Sequence, residues 1–133
     1  MSALFDTSIV LDYLRGTKPA DAAFERFPHR ALTVESWIEV MRAAPERLAG
    51  KTRDFLHTFD RIPIDEAVAD RALALMQKHG RLKLRHALPW AAAQIRNLIY
   101  VTVDFPKLDV NDERIWVPYR RHARRAKRQP SRG

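Results

Sequence analysis

The sequence predicts an α/β protein: a central, mostly parallel sheet of about five short strands flanked by helices. Three observations carry this. Short β-prone runs alternate with longer stretches of helical period, which implies crossover connections between parallel strands. The chain has 133 residues, of which 46% are hydrophobic, and this suits a single domain with one real core. It contains no internal repeat that would point to a solenoid.

The elements follow in order. Ala3, Leu4 and Phe5 form a short apolar run that stops at Asp6. Asp6, Thr7 and Ser8 supply capping side chains, and Ile9, Val10, Tyr13 and Leu14 recur at helical spacing until Gly16 ends the helix. A short amphipathic helix covers residues 20–27 and is stopped by Pro28. Ala31, Leu32 and Thr33 read as a second strand. Residues 35–42 follow as a helix with Trp37, Ile38 and Met41 apolar, and residues 45–59 as another, with Pro45 tolerated in its first turn. Ile62, Pro63 and Ile64 make a brief extended segment. Asp65 then caps a helix whose apolar face holds Ala67, Val68, Ala72, Leu75 and Met76 and which Gly80 ends. Residues 86–96 are Ala-rich and helical, and Pro89, acceptable only in a first turn, sets their start near Arg85 or His86. Residues 98–103 are the most continuous β-prone run. Ile115, Trp116 and Val117 form a last strand stopped by Pro118.

Composition excludes several chemistries. There is no cysteine, hence no disulfide, thiolate zinc site, iron–sulfur cluster or thiol nucleophile. No apolar run approaches the ~20 residues of a membrane span, and the first residues lack the form of a secretory signal, so a cytoplasmic protein is expected. The net charge of +8 is concentrated: residues 120–133 carry +7 and residues 1–119 only +1. The body is thus read as residues 1–119 and the basic tail as residues 120–133. Such a tail suits a polyanion, most simply nucleic acid, or is merely a solvated terminus.

In an open parallel sheet, ligands bind outside the carboxyl ends of the strands. Asp6 directly follows the first strand and Asp104 directly follows residues 98–103. Glu39 lies within two turns of the end of the second strand. Three carboxylates converging on one sheet edge repel each other, and a hard divalent cation compensates them best. Such an ion activates water and polarises a phosphoryl oxygen, so phosphodiester hydrolysis is the natural use. Each acid also has a plainer role: Asp6 as a helix cap, Glu39 as a solvated helix residue, Asp104 as a turn residue. There is no phosphate-binding Gly-rich loop, G-x-S-x-G or H-E-x-x-H.

These blocks resemble a known family. LFDTSIVLDYLRG is similar to the opening of PIN domains, LTVESWIEVMRA to their second block, LRHALPWAAAQIRNLIYVTVD to their third and fourth, and VPYR to their ending. The resemblance runs over residues 3–120 and is nearest to the VapC-type toxins of bacterial toxin–antitoxin pairs. It implies a PIN-like fold and a Mg²⁺-dependent endoribonuclease, with Mn²⁺ as the other ion. By position, Asp6, Glu39 and Asp104 are implied metal ligands, and Thr7 or Ser8 orients Asp6 or bonds the bound water. It further implies RNA as substrate, a VapB-type antitoxin as partner and a homodimer. Trp37, Ile38, Met41 and Phe55 add to the last expectation, as apolar helix residues that so short a body cannot all bury. Three carboxylates in a concave site would also favour an Arg inserted by the antitoxin.

The chain departs from the family pattern at two places. His86 stands where a third acid is expected, and Lys107 where a later Asp often lies. Imidazole is a poor ligand for Mg²⁺ and suits Mn²⁺ or Zn²⁺ better. The site is therefore expected to be impaired, and a catalytically inactive module that binds antitoxin or nucleic acid is the alternative.

Overall fold

The computed structural model describes residues 2–106, 108 and 110–120. Five parallel strands form one sheet: β1 (Ser2–Phe5), β2 (His29–Thr33), β3 (Asp60–Ile62), β4 (Ile99–Val101) and β5 (Ile115–Trp116), in the order β3-β2-β1-β4-β5. Six α-helices are interleaved with them: α1 (Thr7–Leu14), α2 (Lys18–Arg26), α3 (Val34–Ala43), α4 (Ala49–Leu56), α5 (Glu66–Lys78) and α6 (Leu84–Arg96). The predicted α/β architecture is therefore present, and its sheet is parallel at every pairing.

Strand alternation sorts the core into two layers. Ala3 and Phe5 of β1 and Leu32 of β2 pack with Ile9, Val10, Phe24, Val40 and Leu56 from helices α1 to α4. Leu4, Ala31 and Tyr100 point to the other face, where Val68, Ala72 and Leu75 of α5 and Trp90 of α6 cover them. The first layer is rich in rings. Phe24 lies 4.5 Å from Phe5 and 4.2 Å from Tyr13, centroid to centroid. Trp37, Met41 and Phe55 are half-buried against this layer, so of the four apolar residues expected on an exposed face only Ile38 stands out, at 54%. The aromatic cluster under α1 and α2 has room for them that residue counting did not foresee.

Several element bounds differ from expectation, each for a local reason. The single helix over residues 45–59 is instead a 3-10 turn, Glu46–Leu48, followed by α4, because Leu48 leaves helical geometry at φ −107° and ψ 3°. β3 lies two residues earlier than expected, and Pro63, which has no N–H for a ladder, follows its end. Ala67 faces solvent rather than the core, and α5 stops at Lys78, before Gly80. α6 begins at Leu84, which puts Pro89 in its second turn and leaves the Arg85 carbonyl without its usual donor four residues on. The run 98–103 yields a strand of only three residues. Leu98 is spent on the α6 cap: Asn97 takes the left-handed conformation at φ 59° and Leu98 N–H donates to the Ala93 carbonyl at 2.8 Å. Past β4, Thr102 N–H still donates to the Trp116 carbonyl at 3.1 Å, and side chains then take over, with Val103 N–H on Ser8 Oγ and Asp104 N–H on Thr102 Oγ1.

No helix among the described residues is long and apolar enough to cross a membrane. The basic segment from Arg121 onward, and Lys107, lie outside the described residues.

Candidate active site

The sheet order reverses between β1 and β4: from β1 the chain moves outward to β2 and β3, then returns to β4 and β5 on the other side. The crevice at the carboxyl ends of these two strands is where open α/β sheets bind ligands. Asp6 sits at one lip of it and Thr102 to Asp104 at the other.

Asp6 is held by its backbone N–H and by both side-chain oxygens. Its N–H donates to the Val101 carbonyl at 3.0 Å, extending the β1–β4 ladder one residue past Phe5 and setting Thr102 beside its side chain. Oδ1 accepts from Ser8 Oγ at 2.6 Å and from Ile9 N–H at 3.4 Å, the cap of α1. Oδ2 accepts from the Thr102 hydroxyl and from Tyr100 at 3.2 Å. The residue is 4% exposed. Burial pushes its carboxyl above the usual carboxylate range, and the bonds from Ser8 and Thr102, with His86 nearby, pull it back only in part. The plainer reading of Asp6 as a cap is thus correct but incomplete, since capping occupies one oxygen.

His86 lies in the first turn of α6, 2% exposed. Its Nδ1 is 3.2 Å from the Tyr100 hydroxyl and 3.9 Å from Asp6 Oδ2. Because the Tyr100 proton goes to Asp6, Nδ1 carries a proton of its own and donates it to the Tyr100 oxygen. Nε2 is then the bare nitrogen, and it is buried without a partner among the described residues. Burial holds the imidazole below its ordinary pKa, against the pull of Asp6.

Glu39 is exposed, on α3, and its Oε1 accepts from Thr7 Oγ1 at 2.6 Å. Thr7 also reaches Ser36 Oγ at 3.0 Å, so α1 and α3 are tied at the rim. Asp104 closes the other side. Its Oδ2 takes a hydrogen bond and ion pair from Arg85 Nη1 at 3.0 Å. Asp6, Thr7, Glu39, His86 and Asp104, all singled out from the sequence, line one cavity of about 150 Å³, joined by Ser8, Leu11 and Arg85.

Sequence reasoning missed three contributors, Tyr100, Arg85 and Glu35, and the role of a fourth, Thr102. Tyr100 and Thr102 donate to Asp6, which only the β1–β4 register reveals. Arg85 supplies the cation at Asp104. Glu35, one turn before Glu39, was legible as an i, i+4 acidic pair on one helix face. Burial, with Glu39 and Asp6 close by, raises its carboxyl to about 7 against the Thr33 hydrogen bond.

The donors suit a hard divalent cation: all are carboxylate oxygens, and Glu39 Oε2 and Asp104 Oδ1 accept no hydrogen bond among the described residues. As arranged, no three acidic or imidazole side chains of the described residues stand close enough to hold one ion by themselves. An ion there would keep several of its waters, which is the habit of Mg²⁺.

The comparisons with known proteins agree with the fold. The family model of the PIN domain matches residues 3–109. A toxin–antitoxin complex from Klebsiella pneumoniae is similar at 35% identity and TM-score 0.81, covering 89% of this chain and 98% of that one. FitAcB from Neisseria gonorrhoeae (22% identity, TM-score 0.61, 78% and 88% covered) shares the fold. So does DNA-bound VapBC from Salmonella typhimurium (16%, 0.66, 77% and 86%). No curated protein sequence matches the chain at a significant level.

Proposed function

The chain belongs to the PIN domain family, and on that premise we propose that it is a metal-dependent endoribonuclease of VapC toxin type, acting in the cytoplasm on RNA phosphodiester bonds, with a weakened ion site. The observation that carries this is the convergence of Asp6, Glu39 and Asp104 on one cavity at the β1–β4 crevice. Mg²⁺ or Mn²⁺, when bound, supplies an activated water and a Lewis acid for the phosphoryl oxygen. Asp6, Glu39 and Asp104 would hold it together with several of its waters. Ser8, Thr102 and Tyr100 fix the Asp6 carboxylate, and Thr7 fixes Glu39. Arg85, at the cavity mouth, is placed to meet a phosphate. His86 holds Tyr100 and contributes no negative charge.

The test is cleavage of single-stranded RNA with Mg²⁺ or Mn²⁺ against an EDTA control. Asp6→Asn and Glu39→Gln should each lose it, and a parent protein that cleaves nothing with either ion sinks the proposal. One observation favours the second reading, an inactive binding module: Asp104 already has a cation in Arg85, and the third acid is absent.

The partner is proposed to be a small antitoxin, as the 35% identical structure is of a toxin–antitoxin complex. A groove of about 410 Å³ among α1, α3 and α4, lined by Leu11, Leu14, Val40, Ala43 and Leu48, suits an apolar segment of such a protein. An Arg inserted by that partner would meet Glu39, since Asp6 is buried and Asp104 is engaged. A homodimer is proposed as well, through the exposed Ile38. A monomeric mass by light scattering would remove it.

A further inference from the structure

A second and larger cavity, about 720 Å³, adjoins the carboxylate site and shares Arg85, His86 and Asp104 with it. Its walls carry four cations. Arg81 and Lys83 come from the α5–α6 connection, Arg85 from α6, and Arg120 from the chain beyond β5. Among the described residues of its lining, Asp104 is the one carboxylate, and it is paired with Arg85. Arg81, Lys83 and Arg120 make no ion pair among the described residues. Uncompensated cations crowded along a groove repel one another and attract an anion that spans them.

Phe105 lines the same groove and is half-buried. Its ring is buttressed edge-to-face by Trp90 at 5.4 Å, His86 at 6.0 Å and Tyr100 at 6.1 Å. A braced, partly open ring among cations is the pairing that holds unpaired nucleotides, phosphates on the charges and a base on the ring.

We propose that this groove is a strand-binding subsite for single-stranded nucleic acid, taking the backbone phosphates that flank the bond held in the carboxylate cavity. The proposal rests on the nuclease reading for the purpose of the shared wall, and adds to it where the rest of the strand lies. Arg85 joins the two compartments. Contacts of this kind grip phosphates and a base face, so they hold RNA and DNA strands alike.

The experiment is fluorescence anisotropy of the full chain with labelled oligo(U) and oligo(dT), in EDTA and over a series of salt concentrations. Arg81→Ala/Lys83→Ala/Arg120→Ala should weaken binding of both at least tenfold. It should also lower the log–log salt slope by about 2, at ~0.7 per lost contact on a single strand. Phe105→Leu, which keeps apolar bulk, should weaken binding with the slope unchanged. Lys18→Ala/Arg47→Ala/Lys78→Ala, an equal loss of charge elsewhere, should stay within twofold of the parent. All three residues are exposed, as are those of the groove variant, and melting curves establish that the variants fold. Unchanged affinity and slope in the groove variant overturn the proposal, as does an equal loss in the control. A groove variant that keeps both strands but loses an acidic protein partner also overturns it. A parent that binds through the groove yet cleaves nothing with Mg²⁺ sinks the nuclease reading alone. Cleavage with groove-independent binding sinks the subsite alone.

Discussion

His86 Nδ1 lies 3.9 Å from Asp6 Oδ2, with the Tyr100 hydroxyl 3.2 Å from each. Where a third acid is expected, the chain has put a neutral donor that closes a buried relay. His86→Asp should therefore raise Mg²⁺-dependent RNA cleavage. It should also lower the melting temperature in EDTA, because two carboxylates then share a buried site. Added Mg²⁺ should recover more stability in the variant than in the parent, since the ion binds only the folded state. Pairing the change with Asp6→Asn should erase the gain. Equal Mg²⁺-induced melting shifts in parent and variant would show that position 86 does not face the ion.

Glu35 makes a pH prediction. Its carboxyl titrates near 7 rather than 4.5, so the folded state binds more protons than the unfolded one between those values. The stability this gives is complete below about pH 4.5 and is lost as pH rises through 7. Glu35→Gln should remove the dependence. By the shift alone the variant would gain up to ~3 kcal/mol at pH 8, and partial exposure to solvent reduces this to roughly 1–2 kcal/mol. Melting temperatures in EDTA should differ by several degrees at pH 8 and converge near pH 4.5. Parallel profiles would mean that Glu35 titrates as an ordinary glutamate.

Arg85 competes with any cation for Asp104. Arg85→Ala should tighten Mg²⁺ binding by calorimetry, on the order of severalfold for an exposed ion pair worth up to ~1 kcal/mol. The same change should weaken RNA binding, because a phosphate contact goes with it. Weaker Mg²⁺ binding in the variant would contradict the competition.

The basic tail has Arg121, Arg124, Arg125 and Arg128 at i, i+3, i+4 and i+7. If these four meet phosphates, a chain ending at Arg120 should show a salt slope on single strands lower by roughly 3. An identical slope assigns the tail no part in binding.

The fold was legible because its signals are local. Asp6 stops a strand and caps a helix, Asp65 does the latter again, and Gly16 adopts φ +85° where a helix must end. Strand lengths were less so. Whether residues 98 and 103 join β4 depends on a helix cap at Asn97 and on the Ser8 hydroxyl of α1, neither of which period or propensity encodes. The site divides the same way. Its acids could be placed because they follow strands, whereas Tyr100 is an ordinary β-prone residue until register sets it against Asp6. Arg85 is illegible for a similar reason, since its partner Asp104 lies 19 residues away on another element.

The longest-range bonds in this site also fix when it can exist. During synthesis the hydroxyls of Tyr100 and Thr102 that hold Asp6 follow it by 94 and 96 residues. At ~5–20 residues per second that is an interval of roughly 5–20 s. β4 must then leave the exit tunnel and slot in next to β1, in the middle of the finished sheet, before the carboxylate is oriented. A nascent chain short of β4 has the first acid and the Glu39 rim but no fixed centre. The Asp6 centre is thus assembled late, only once β4 has paired with β1.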